Sequence, residues 1–210
     1  MTVVQGIDVS NWQGAFNWQP WKDKIGFGLA KAVEGDAGTD AEFGRNWDSM
    51  WSMNATHTFP RFAYLFFHAG QDPAAQATHL VATVKAHGLL PGDHFVLDVE
   101  STSQGAELND GLTPAQCAPR AVECLHHINA LAPNHRVLPY MNPAWAQAGG
   151  SAGMGSWFLW LAEYGVSAPS VPLPWNKWTF WQYTDQPIDG DRYNGTQAEL
   201  LSFCRMPQKR

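Results

Sequence analysis

The fold is decided by one stretch of the chain, residues 61–100, which reads RFAYLFFHAGQDPAAQATHLVATVKAHGLLPGDHFVLDVE. Residues 61–68 form a dense apolar run, typical of a strand covered on both faces. Asp72 and Pro73 then supply an N-cap and a first-turn proline for a helix, which Gly88 ends. Residues 95–100 form the next apolar run. The stretch therefore predicts a strand, a crossover helix and a second strand parallel to the first.

The same alternation extends in both directions along the first two thirds of the chain. Thr39 and Glu42 stand at the spacing of a capping box, and Thr113 with Pro114 repeats the cap-and-proline start. Helices are therefore predicted over residues 39–53 and 113–132, and strands over residues 3–9, 27–33 and 137–141.

The pattern changes after Asn142. Residues 157–162, 177–183 and 188–193 are predicted strands, but a loop with three prolines, not a full helix, separates the first two. Thr196 and Glu199 form another capping box, which opens a terminal helix through about residue 203. The chain is therefore predicted to be a single α/β domain over residues 1–210, a TIM-like barrel with an irregular second half. An open, doubly wound sheet is the alternative.

Composition excludes several classes of protein. The formal net charge is -6 and only 15% of the residues are charged, which argues against nucleic-acid binding by phosphate neutralisation. No run of about 18 apolar residues predicts a membrane span, and the first residues lack the pattern of a signal peptide. The histidines form no HExxH or similar pair, so no metal or other cofactor is expected. Three cysteines at no ligand spacing predict buried thiols in a reducing compartment: Cys117, Cys124 and Cys204.

Two carboxylates end the strand at residues 95–100. Asp98 and Glu100 are two residues apart, so on a strand they point to the same face, about 6–7 Å apart. In a barrel that face looks into the mouth, where active sites lie. Neighbouring acids in apolar surroundings raise each other's proton affinity, so one can stay protonated near neutral pH. Glycoside hydrolysis needs such a pair, although a strand-end pair of acids is more often without function.

Further acids end the first and last predicted strands. Asp8 closes the first strand, and Asp189 and Asp191 lie in the last. First and last strands are neighbours in a closed barrel, so Asp8 and Asp189 are predicted to flank one mouth with Asp98 and Glu100. Taken singly, Asp8 is equally an ordinary cap and Asp189 an ordinary turn residue.

Aromatic residues follow the same strand ends. Apolar sugar faces pack on rings while sugar hydroxyls bond to polar side chains, so these residues are candidates for sugar binding. Core packing is the alternative, and it is preferred for Trp18, Trp21, Trp47 and Trp51. The predicted substrate-binding residues are Tyr64, Tyr140, Trp160, Trp181, Gln182 and Tyr183.

An ordered set of motifs makes the chain resemble glycoside hydrolase family 25, the Chalaropsis-type lysozymes. They are GIDVSNWQG at residues 6–14 (family G-x-D-x-S-x-x-Q), KAVEG at 31–35 (K-x-x-E-G), VLDVE at 96–100 (D-x-E), LWLAEY at 159–164, WTFWQYT at 178–184 and DGDRYNG at 189–195 (D-x-N-x-F-N-G). Leu65 departs from the family's Y-H-F, and Asp191 stands in place of its Asn.

The resemblance implies a (β/α)5β3 barrel that hydrolyses the β-1,4 bond between N-acetylmuramic acid and N-acetylglucosamine in peptidoglycan. It also implies that Glu100 is the general acid, that Asp98 assists by orienting the substrate's 2-acetamido group, and that Asp8 and Asp189 complete an acidic floor. A direct carboxylate nucleophile is the alternative mechanism. Two other functions stay open: a catalytically inactive glycan-binding module on the same barrel, and a chitinase-like glycosidase.

Many proteins of this family are phage endolysins. We therefore expect an enzyme made in the host cytoplasm without a signal peptide, which acts on the cell wall after release. We also expect a monomer with no nucleic-acid partner, no membrane insertion and no separate wall-binding domain.

Overall fold

The computed structural model describes residues 2–53, 59–103 and 107–205 of the chain. Nine strands lie in these ranges, and their lengths fit the apolar runs of the sequence. They are β1 (Val4–Val9), β2 (Phe27–Glu34), β3 (Gly38–Thr39), β4 (Arg61–Phe66), β5 (His94–Asp98), β6 (Val137–Met141), β7 (Trp160–Ala162), β8 (Phe180–Thr184) and β9 (Asp189–Tyr193).

Eight of the strands close into a barrel. The sheet runs β1-β9-β8-β7-β6-β5-β4-β2, with the short β3 added at the outside of β2, and β1 also pairs with β2. Six strand pairs of the barrel are parallel: β1–β2, β2–β4, β4–β5, β5–β6, β6–β7 and β7–β8. The last strand, β9, runs antiparallel to both β8 and β1. The α/β barrel is therefore confirmed and the open doubly wound sheet is wrong, because β1 has a partner on each side.

The helices are concentrated in the first part of the barrel, as the sequence predicts. Two short 3-10 turns follow β1, and no α-helix separates β7, β8 and β9 in the described part of the chain. The α-helices are α1 (Phe43–Trp51), α2 (Pro73–Ala86), α3 (Pro114–Leu131), the single turn α4 (Pro143–Trp145) and α5 (Gln197–Arg205). In the described ranges, none of these helices has the length and apolar character needed to cross a membrane.

One predicted helix start is wrong. Thr39 does not cap a helix, because it pairs with β2 as part of β3 and its Oγ1 lies 2.9 Å from His79 Nε2. The helix begins four residues later, at Phe43. Just before it, Asp40 Oδ1 accepts a hydrogen bond from the Glu42 backbone N–H at 2.9 Å. The local hydrogen bonds of Asp40 therefore replace the predicted capping box.

The other helix starts are confirmed. Asp72 accepts a hydrogen bond from the backbone N–H of Ala74, with Pro73 in the first turn of α2. Thr113 and Gln116 form a complete capping box at α3. Thr196 and Glu199 exchange reciprocal hydrogen bonds of 2.7 and 3.3 Å before α5.

Aromatic rings fill the lower interior of the barrel. Trp160 stacks on Phe180 with ring centroids 4.3 Å apart, and Phe27 and Phe62 meet both rings edge-on. Such contacts stabilise a core beyond the area that they bury. A second apolar layer lies between strands and helices and includes Trp18 and Trp47, as predicted. The three cysteines are free and buried, also as predicted.

Candidate active site

A cavity of about 200 Å³ lies above this aromatic floor, at the carboxyl ends of the parallel strands. Barrel enzymes place their active sites at that end, because the strand-to-helix loops meet there. The polar and aromatic side chains that line the cavity are Asp8, Tyr64, Asp98, Glu100, Tyr140, Trp160, Tyr164, Gln182 and Asp189.

The four predicted acids meet in this cavity. Asp98 is the last residue of β5 and Glu100 follows two residues later, so strand alternation brings both to the interior. Asp8 and Asp189 are direct partners across the antiparallel β1–β9 pair. The sequence therefore predicted the composition of this acidic group, and the barrel closure brings its halves together.

Burial raises the pKa of every one of these acids. The pKa of Glu100 rises to about 7 because burial and the charge of Asp8 both disfavour its ionised form. Burial and the charge of Glu100 raise the pKa of Asp98 well above its usual range. The pKa rises to about 6 at Asp8 and to about 7 at Asp189, again chiefly through burial. At neutral pH the group therefore retains protons, which a general acid requires.

A hydrogen-bond chain orients Asp8. Gln182 Nε2 donates to Asp8 Oδ2 at 2.6 Å, and Gln182 Oε1 accepts from the Tyr140 hydroxyl at 2.7 Å. The Tyr164 hydroxyl also donates to Gln182 Oε1. Because the two hydroxyls hold the amide oxygen, the amide N–H group must face Asp8.

Lys31 supplies positive charge at the edge of the cavity. Its side chain is only 11% exposed, and its Nζ donates to Glu34 Oε2 at 2.6 Å and lies 4.8 Å from the centre of the Phe66 ring. The charge of Lys31 lowers the pKa values of Asp98 and Glu100 and so opposes part of the effect of burial. We did not predict this role from the sequence. The available signal was its place on β2, two residues after Leu29, which lines the cavity.

The predicted sugar-binding residues divide into two groups. Tyr64, Tyr140 and Gln182 line the cavity. Trp160 also borders it, but the side chain has no exposed surface and serves as floor, with its Nε1 donating to Asp191 Oδ1 at 2.9 Å. Tyr164 lines the cavity and was missed, although it follows the predicted strand segment directly.

Two of the predicted sugar-binding residues, Trp181 and Tyr183, do not line this cavity. They flank Gln182 on β8, and successive side chains of a strand point to opposite faces. Trp181 is buried outside the barrel wall, where its Nε1 donates to the Glu163 carbonyl oxygen at 2.8 Å. The Arg192 guanidinium lies 3.8 Å from the centre of the Tyr183 ring on the same outer face. Once Gln182 faces inward, neither neighbour can do so.

The cavity continues into a wider groove. A depression of about 540 Å³ shares Glu100, Tyr140 and Tyr164 with it and extends past Asn142 and Gln147. A second depression of about 410 Å³ lies on the side of β2 and contains Lys31. Nowhere in residues 2–53, 59–103 and 107–205 do three or more His, Cys, Asp or Glu side chains form a group able to hold a metal ion.

Buried, proton-retaining carboxyls in the open mouth of an α/β barrel define a glycoside hydrolase of the barrel class. The sequence model described as "Glycosyl hydrolases family 25" matches residues 7–191, so the chain belongs to glycoside hydrolase family 25. It is a glycoside hydrolase with lysozyme activity.

Relatives support the same assignment. Lysozyme M1 of Streptomyces globisporus is 31% identical over 222 residues, which cover 96% of this chain and 71% of the relative. The crystal structure of the bacterial lysozyme from Streptomyces coelicolor superposes with a TM-score of 0.82 at 27% identity and covers 98% of both chains. A family GH25 lysozyme from Aspergillus fumigatus shares the fold, with a TM-score of 0.81 at 24% identity over 97% of this chain and 99% of that one.

Proposed function

We propose that this lysozyme hydrolyses the β-1,4 bond between N-acetylmuramic acid and N-acetylglucosamine in bacterial peptidoglycan. The observation that carries the proposal is the convergence of Asp8, Asp98, Glu100 and Asp189 on one cavity in the barrel mouth. The groove that continues from this cavity on the side of Glu100 suits a polymeric glycan. The family and the relative named Lysozyme M1 favour peptidoglycan as that polymer.

Glu100 is proposed as the general acid that protonates the leaving glycosidic oxygen. Its raised pKa of about 7 keeps a proton available near neutral pH, while its position where the cavity joins the wider groove leaves it accessible to substrate. Asp8 lies on β1, and its negative charge disfavours loss of this proton. Asp189 is proposed to complete the acidic floor beside Asp8.

Asp98 is proposed to orient the substrate's 2-acetamido group while that group attacks the anomeric carbon. Its Oδ1 is buried and has no hydrogen-bond partner among the described residues, so an incoming N–H group would satisfy it. Attack by the acetamido oxygen forms a cyclic intermediate as the glycosidic bond breaks and the leaving oxygen takes the Glu100 proton. Water then attacks the anomeric carbon of the intermediate and gives a proton to the Glu100 carboxylate, so that Glu100 is protonated again and the anomeric configuration is retained.

Replacement of Glu100 by Gln tests the assignment of the acid. Glu100→Gln removes the proton donor and is expected to lower the rate of release of reducing ends from purified cell wall by about 100- to 10,000-fold. Glu123→Gln is the matched control, because Glu123 is an exposed residue of α3 far from the mouth, and it should leave the rate unchanged. A folded Glu100→Gln protein with near-normal activity would contradict the assignment.

The same digests of purified wall identify the bond that is cleaved and the stereochemistry of its cleavage. Mass spectrometry should find N-acetylmuramic acid at the new reducing ends, whereas reducing-end N-acetylglucosamine would show cleavage of the other glycosidic bond. NMR of the first product should show the retained anomer, and an inverted anomer would rule out attack by the acetamido group. Binding to the wall without new reducing ends would indicate a glycan-binding module. Cleavage of chitin in preference to wall would indicate a chitinase-like enzyme.

We further propose that the enzyme acts on the wall after release from a host cytoplasm, as in phage-mediated lysis. This proposal rests on the resemblance given above. Bacteria that make the protein in their cytoplasm should then stay intact until their membrane is permeabilised, when the turbidity of the culture should fall. Lysis without permeabilisation would contradict it.

A further inference from the structure

One buried acid of the barrel has no part in the mechanism above. Asp191 lies on β9, where it is the register partner of Gly6 on β1 and of Gln182 on β8. Its side chain has no exposed surface. Trp160 Nε1 donates to its Oδ1 at 2.9 Å, and its Oδ2 has no hydrogen-bond donor among the described residues.

The carboxyl of Asp191 instead lies beside the carboxyl of Asp8, because both side chains face the interior from the paired strands β9 and β1 and Asp8 is the charged group that acts most strongly on Asp191. An ionised carboxylate can only accept hydrogen bonds, so two ionised groups in this contact would leave two buried oxygens facing each other without a hydrogen. The contact becomes favourable when a single proton lies between the two groups.

In the described part of the chain, Asp191 forms no ion pair with a cationic side chain. The ionisable groups that act on it most strongly are the acids Asp8 on β1 and Asp189 on its own strand. Arg192, the next residue of the strand, points to the outer face, where its guanidinium stacks on Tyr183 and Trp181. Strand alternation explains this separation, because Asp191 and Arg192 must face opposite sides of the barrel wall.

We propose that Asp191 is a neutral carboxylic acid that donates its hydrogen to the Asp8 carboxylate, and that it acts as the positioning residue for Asp8. Each acid accepts one side-chain N–H hydrogen bond, from Trp160 at Asp191 and from Gln182 at Asp8. The proton belongs to Asp191 because Asp191 is the more deeply buried of the two, with no exposed surface against 7% at Asp8, and burial disfavours the ionised form. In agreement, burial and the charge of Asp8 raise the pKa of Asp191 well above its usual range, whereas that of Asp8 rises only to about 6.

Asp191 thereby connects the aromatic floor to the acids above it. Trp160 holds Asp191, and Asp191 together with Gln182 holds Asp8 in its ionised form and fixed in place. The charge of Asp8 in turn favours the protonated form of Glu100. The part of this inference that concerns activity rests on the proposed role of Glu100, whereas the proton on Asp191 does not.

Unfolding measurements test the proton by itself. The folded wild-type protein keeps the Asp191 proton while the unfolded chain loses it above about pH 4, so folding becomes less favourable as pH rises. Asp191→Asn has no such proton. The ratio of its folding constant to that of the wild type is therefore expected to increase between pH 5 and pH 8, by up to about tenfold per pH unit. A ratio that stays constant or falls with pH would show that Asp191 is ionised, and would overturn the proposal whether or not the enzyme is a muramidase.

Paired substitutions test the hydrogen bond to Asp8. Asp191→Leu keeps the branching at Cγ but cannot donate a hydrogen bond, and it is expected to lower wall hydrolysis by about 10- to 100-fold. Asp191→Asn can donate an N–H to Asp8 and accept from Trp160, so it should recover most of this loss. The acidic limb of the Asp191→Leu pH–rate profile should also move to higher pH, because Asp8 loses a donor that stabilises its charge. An Asp191→Asn enzyme as impaired as Asp191→Leu would refute the assignment of a neutral donor.

Discussion

Burial and a few individual charges together set the pKa values of the acids in this site. Asp98 is buried and Glu100 is half-buried, so neither ionises easily, and Lys31 is a nearby cation that lowers both of their raised pKa values. Lys31 is itself held by Glu34 and by the Phe66 ring. The pKa of about 7 at Glu100 is thus the sum of opposing effects, of which burial is the largest.

The pH dependence of activity should reflect this balance. Above a pH of about 7 the Glu100 proton is lost, so kcat/KM of the wild type should fall by up to tenfold per pH unit. Lys31→Met removes the charge that lowers the Glu100 pKa, so the alkaline limb should move to higher pH. Lys31→Arg keeps the charge and is the control that should leave the limb near its wild-type position. Movement of the limb to lower pH in Lys31→Met would contradict the electrostatic role of Lys31.

Strands and helices meet at a buried ion pair below the barrel. Arg61 begins β4, and its Nε and Nη2 donate to the two carboxylate oxygens of Asp93 at 2.9 and 2.6 Å. Its other N–H groups reach the carbonyl oxygens of Trp47 in α1 and Gly88 after α2. One side chain therefore joins the middle of α1, the turn after α2 and the loop that precedes β5.

Loss of this arginine should destabilise the fold far more than loss of an exposed one. Arg61→Met leaves Asp93 buried without its partner and is expected to lower the free energy of unfolding by about 3–5 kcal/mol. The double substitution Arg61→Met/Asp93→Asn should recover part of that loss, because no buried charge remains. Arg45→Met is the control, since Arg45 pairs with Glu42 at the surface, and it should cost less than about 1 kcal/mol. Denaturant unfolding measures all three, and equal effects of Arg61→Met and Arg45→Met would contradict the prediction.

The acids of the barrel mouth lower the stability of the whole molecule as pH rises. Asp8, Asp98, Glu100 and Asp189 all have pKa values raised by burial, so the folded state binds protons that the unfolded state releases. Their contribution to stability is full below about pH 4 and is lost as pH rises through about 7. Buried His94 has the opposite effect, because its pKa is lowered to about 3. Its contribution to stability is full above about pH 6.5 and is lost as pH falls towards 3.

Removing one acid should therefore stabilise the protein at high pH only. The free energy of unfolding of Glu100→Gln is expected to match the wild type near pH 4 and to exceed it by about 1–3 kcal/mol at pH 8. Glu123→Gln, on the surface of α3, should show no difference that grows with pH. Denaturant titrations at several pH values provide the measurement, and a difference that shrinks with pH would contradict the raised pKa of Glu100.

Local sequence patterns predict the alternation of strands and helices, most element boundaries and the four acids of the cavity, and they leave the open sheet as an alternative to the barrel. These features follow from local rules: apolar runs, caps, prolines and the alternation of side chains along a strand. The same alternation, applied to β8, separates Gln182 from Trp181 and Tyr183, but the sequence does not say which set faces inward. The tertiary structure decided that point, because only the closed barrel defines an inside.

The tertiary structure also decided the protonation of the site. Asp8 and Asp191 are 183 residues apart in sequence, yet they meet because β9 returns antiparallel to β1. Burial, Lys31 and the charge of Asp8 act on Glu100 through space, across strands that are distant in the chain. Desolvation and Coulomb interactions depend on three-dimensional distance, so the sequence specifies which acids are present and the fold determines which of them hold a proton.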